Sequence, residues 1–180
     1  MIGSNMENER IKGQYQDSKE LYNYLIGKGE VSFATYINDV YKKVLVLSAT
    51  SYFETKIADL ISGYAKKVSE SDERIVNLIR SKVIERQFYT LFDWKANNTN
   101  FFWKLFGEET KVSVRKKIDC DEKLGEAERC FIELVKQRNL LVHENFVEFD
   151  VNNTVEEIYK KYCQACNFIS LIKTVLDPSY

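Results

Sequence analysis

The chain has 180 residues, a formal net charge of −1 and 44% aliphatic and aromatic residues, enough length and apolar content to bury a core without disulfide or metal staples. The near-neutral charge excludes a global field drawing the protein onto nucleic acid or membrane, so any such contact has to come from a local patch. One proline, Pro178, and seven scattered glycines leave the interior almost free of helix breakers, which points to an all-α fold in one domain.

No apolar run reaches the roughly 18 residues that a membrane span requires. The opening MIGSNMENER is polar and charged where a secretory signal carries an apolar core, so residues 1–16 are expected to form a flexible segment ahead of a domain at 17–177. Four cysteines without such a signal argue for free thiols in a reducing cytoplasm.

The first predicted helix starts at 17, with Leu21, Tyr24 and Leu25 at helical spacing, and stops at Gly27 and Gly29. A longer run follows: Phe33, Ile37, Val40, Tyr41, Val44 and Leu47, then Phe53, Ile57, Leu60, Ile61, Tyr64 and Val68. Its unbroken spacing of three and four predicts one long amphipathic helix, or two stacked end to end near 48–51. A third helix is expected after a cap at Ser71 or Asp72, with Ile75, Leu78, Ile79, Val83 and Ile84 inward.

Residues 88–107, FYTLFDWKANNTNFFWKLFG, are dense in aromatics around a polar break. They predict a loop and a short helix over 99–106 closed by Gly107. The segment KVSVRKKI holds the one basic cluster of note, Lys111, Arg115, Lys116 and Lys117, suited to steering phosphates or to forming a solvated face. A helix then opens at 119–121 and runs to 142, and a last one starts at 154 and buries Ile158, Tyr162, Ala165, Phe168, Ile169, Ile172 and Val175. The expectation is a single bundle of about five main helices, with short helices in the 95–118 segment.

The residues suited to chemistry gather at the end of the penultimate helix, in RNLLVHE. Its apolar stripe steps through Ala127, Phe131 and Leu134, and the next position at helical spacing is Arg138. A guanidinium buried without a partner costs several kcal/mol, so Arg138 has to meet an acid, water, a ligand or another subunit. His143, the only histidine, comes five residues later, about 140° further round an ideal helix, with Asn139 between. A guanidinium to hold phosphate, an imidazole to move a proton and an amide to orient either make a set suited to phosphodiester chemistry. The same residue types also serve as a plain helix end, the histidine capping carbonyls and the arginine pairing with a surface acid.

RNLLVHE resembles the signature of the HEPN superfamily, an arginine commonly followed by a polar residue and then, after four to six residues, a histidine. Arg138, Asn139 and His143 stand at those positions. The early helix with LSATSYFETKIADLISGY, the FFWKLFG segment before the motif helix and the closing helix after it are similar to the prokaryotic branch typified by RiboL-PSP-HEPN proteins. That resemblance implies a HEPN-like helical bundle acting as a metal-independent endoribonuclease without cofactor. It also implies two copies whose motifs share a cleft, and service as a toxin or antiphage effector under a possible antitoxin or regulatory protein. Glu144 stands where the family usually has a small residue, and it either restrains the imidazole or repels RNA. The alternative is a non-catalytic helical module that binds a partner protein, nucleotide or RNA.

The other candidates fit structure better. Cys163 and Cys166 fall within a helical period, and Cys120 and Cys130 lack a zinc-knuckle spacing. Phe101, Phe102, Trp103 and Phe106 suit a core as well as base stacking. No Ser-His-Asp set, glycine-rich phosphate loop or metal-binding histidine pair can be assembled.

Overall fold

In the computed structural model the described residues are 2–85, 88–143, 146 and 149–177, with the side chains of 2–7 excepted. Every regular element among them is helical, so the fold is all-α. In chain order these are α1 (Ile2–Gly27), α2 (Val31–Val68), α3 (Glu73–Ile79) running into a π turn (Arg80–Ile84), and a 3-10 turn (Phe88–Leu91). Then come α4 (Asn100–Lys104), α5 (Glu108–Cys120), α6 (Glu122–His143) and α7 (Val155–Val175).

Local chemistry accounts for the boundaries. α1 ends in a Schellman turn: Gly29, at φ 78°, donates to the Ile26 carbonyl at 3.0 Å and Glu30 donates to that of Leu25 at 2.9 Å. Asp72 caps α3 by accepting from the Arg74 amide at 2.9 Å. α7 opens on a reciprocal capping box in which Thr154 and Glu157 each take the other's backbone N–H, at 3.1 and 2.8 Å. α2 is continuous for 38 residues, without the break considered at 48–51.

Three expectations need correction. The segment 1–16 belongs to α1 from Ile2 onward: Ile11 is buried, Tyr15 stacks on Tyr159 at 4.2 Å, and Asn8 accepts from the Tyr162 hydroxyl at 2.9 Å. α3 and its π turn bury none of their residues, and Leu78 is 61% exposed, because correct spacing makes a face without supplying a neighbour to cover it. Phe33 and Tyr24 are likewise exposed. The buried side of α2 before residue 50 runs instead through Ala34, Lys43, Leu45, Val46 and Ala49.

The chain divides into two compact units, Met1–Tyr52 with Glu133–Cys163, and Phe53–Ile132 with Gln164–Tyr180. The first contains α1, the front of α2, the back of α6 and the front of α7, around Leu45, Val46, Leu134, Val135, Leu141, Ile158 and Tyr162. Within it Lys19 pairs with Glu156 at 2.8 Å, and Lys161 with Glu133 at 2.7 Å.

The second unit has an aromatic core. Phe92 stacks on Phe102 at 4.8 Å, and Phe131 meets Phe53, Phe92 and Phe168 at ring separations of 5.5, 5.3 and 4.9 Å. A polar knot sits in this core. The carboxylate of Glu128, 3% exposed, accepts from the Thr99 amide at 2.8 Å and its hydroxyl at 2.6 Å, and from Arg115 at 2.9 Å. The indole N–H of Trp103 donates to the same Thr99 hydroxyl at 3.0 Å. Glu128→Leu, which strands these donors, is expected to cost roughly 3 kcal/mol, read as a lower urea midpoint at unchanged m-value.

Candidate active site at the end of the sixth helix

After Gly125, α6 runs through good helix formers without glycine or proline as far as His143. In the first unit it buries Leu134, Val135 and Leu141 completely. Arg138 lies four residues after Leu134 and three before Leu141, on that same face, and is half-buried. The arginine thus interrupts the stripe, with leucine on both sides of it along the helix.

Asn139 is also half-buried, and its Oδ1 is shielded from solvent with no partner among the described residues. His143, the last residue of α6, comes four residues later, so the amide and the imidazole lie one above the other on one face. The imidazole is exposed. Beside it Leu140 and Val142 are 46% and 52% exposed, so the histidine stands in an apolar rim. The end of the helix therefore brings together a half-buried cation, an unused acceptor and an accessible imidazole within its last two turns.

Two contacts lie near this end. Gln137 donates from Nε2 to Asn153 Oδ1 at 2.6 Å, tying α6 to the segment that leads into α7. Lys43 of α2, 7% exposed, donates to the Phe146 carbonyl at 2.7 Å, three residues past His143. Sequence reasoning missed Lys43 because KK at 42–43 reads as an ordinary solvated pair. The signal available was its register, three residues before Val46 and seven before Thr50 on one helical face.

The other candidates fall elsewhere. Lys111, Arg115, Lys116 and Lys117 are all on α5, in the second unit. Lys111 pairs with Glu108, and Arg115 bonds Asp119 as well as Glu128, at 2.9 Å each, while Lys116 is exposed. Glu144 lies outside the described residues. Phe102 and Trp103 are buried in the aromatic core and Phe101 is 47% exposed. The four cysteines are free thiols, and no group of three or more histidine, cysteine or acidic residues is placed to hold a metal among the described residues. No described helix is long and apolar enough to cross a membrane.

The RiboL-PSP-HEPN family profile matches residues 14–177, and the chain is a member of that family. No curated protein and no solved structure matches it. Membership is compatible with ribonuclease activity or with a nucleotide-binding role. His143 being exposed, diethyl pyrocarbonate is expected to carbethoxylate one histidine per folded chain without prior denaturation. Protection before denaturation, seen in the ultraviolet absorbance of the product, would contradict the exposed placement.

Proposed function

We propose that the protein is a metal-independent endoribonuclease of the HEPN type, with Arg138, Asn139 and His143 as its working residues. The observation that carries this reading is an arginine seated in the apolar stripe of α6 with an exposed histidine at the same helix end, in a chain of the RiboL-PSP-HEPN family. The RNA 2′-oxygen attacks the adjacent phosphorus and gives up its proton, and the bond from phosphorus to the 5′-oxygen breaks as that oxygen is protonated. His143 serves one of these proton transfers, and Arg138 offsets the charge that builds on the phosphoryl oxygens. Asn139, with its unused acceptor, orients the 2′-hydroxyl or the imidazole. The products are a 2′,3′-cyclic phosphate and a 5′-hydroxyl.

Two copies supply the site in this reading. The exposed Leu140 and Val142 beside His143 support it, since an apolar rim around a catalytic group gains from a second subunit. Lys111, Arg115, Lys116 and Lys117 would add phosphate contacts, Lys116 and Lys117 being the exposed members. Cellular service as a toxin or antiphage effector, held in check by an antitoxin or regulatory protein, fits an RNase without cofactor demands. Glu144 is the residue in this sequence that would tune the imidazole or oppose RNA.

The test is cleavage of RNA in excess EDTA by wild type, His143→Ala and Arg138→Ala. Each variant is expected to lose roughly 10²–10⁴-fold in rate while keeping the wild-type melting profile, and the wild-type products should carry cyclic phosphate ends. Equal cleavage by all three, or cleavage that needs added metal, overturns the mechanism. Absence of cleavage together with unchanged growth on expression would favour a non-catalytic module that binds a partner protein, nucleotide or RNA.

A further inference from the structure

His143 is the final residue of α6, and the last turn of a helix frays unless something beyond it is held. The imidazole's position therefore depends on how the chain leaves the helix. The nearest described residue past it is Phe146, whose carbonyl receives the Lys43 amino group at 2.7 Å. The same Nζ stands 5.2 Å from the centre of the Phe146 ring, within reach of a cation–π contact. Lys43 itself is 7% exposed, and a buried amino group is retained only where acceptors meet it.

The lysine arises from the interior of α2, between the buried residues Ala34 and Val46, and not from a loop. Its stem is fixed by packing along the buried side of that helix. A rigid donor thus reaches across 103 positions of sequence to one peptide carbonyl three residues from the only histidine. An exposed ion pair would hold this segment weakly, because both partners would stay hydrated and mobile. A buried donor with a 2.7 Å bond holds the Phe146 carbonyl well.

We infer that Lys43 is a positioning residue for His143: by binding the Phe146 carbonyl it fixes the exit of α6 and so sets where the imidazole stands. The inference deepens the ribonuclease reading and, for its kinetic part, rests on it. Lys43 touches no reacting atom in this role. Its contribution is to keep the imidazole in the narrow range of positions from which a proton can pass, where an error of about 1 Å costs up to roughly a hundredfold.

Because His143 is the only histidine, its ring C–H resonance in NMR is a single assignable signal. Lys43→Met, which keeps the stem and removes the donor, is expected to move that resonance toward its position in the unfolded chain. It should also lower kcat about ten- to a hundredfold while KM changes less than about threefold. Lys43→Arg should restore both the resonance and kcat. If Lys43→Met does not fold, Lys43→Gln, polar but too short to reach, carries the same comparison. A Lys43→Met protein that melts lower yet keeps the wild-type His143 resonance and kcat reduces Lys43 to a structural tie and overturns the inference. Failure of Lys43→Arg to restore either signal also overturns it. If the wild-type protein cleaves no RNA, the ribonuclease reading falls, and the His143 resonance alone still decides whether Lys43 sets its place.

Discussion

A charged or polar group on the inner face of a helix must find partners, and α6 meets this demand twice. In the second unit Glu128 meets it with protein alone: the amide and hydroxyl of Thr99 and the guanidinium of Arg115 surround its carboxylate. In doing so it fixes the start of α4 and the middle of α5 against α6. The aromatic core of that unit then packs around a helix whose register is already set. A mismatch at Glu128 would cost more than the loss of any one ring contact, since an unpaired buried carboxylate carries a penalty of several kcal/mol.

In the first unit the same helix treats its polar residues differently. Arg138 is half-buried between Leu134 and Leu141, while the Asn139 carbonyl oxygen is shielded and unpartnered among the described residues. Gln137 Oε1 is left in the same state although its Nε2 is bonded to Asn153. Unused buried acceptors are uncommon in native proteins, and a water, an ion or a functional role is the usual reason for one. One helix therefore has a saturated structural end and an unsaturated, accessible end, and the difference between them makes the second the candidate site.

The helices were legible because their signal is local. The start of α7 near Thr154, the Asp72 cap and the span of α6 all follow from residues within a few positions of the boundary. Burial was less legible. The apolar positions of α3 have the correct spacing but no covering neighbour, and Phe33, placed inward by its period, is 63% exposed. A hydrophobic period states which residues share a face. It does not state which face is covered, since that depends on elements far away in sequence. The same limit hid Lys43, whose partner lies at Phe146.

The sequence by itself determined the all-α class, the family resemblance and the triplet Arg138, Asn139 and His143, because propensity, period and a compact motif are written over short distances. Tertiary structure decided how those three are presented: an arginine held in an apolar stripe, an amide with a spare acceptor and an imidazole left open at the helix end. It also decided that Arg115, read as part of a phosphate-steering or solvated basic cluster, is the counter-charge of a buried glutamate, and that a lysine in the middle of α2 bonds the Phe146 carbonyl. Each of these depends on which groups are removed from water together, and only the packed chain brings those groups to one place.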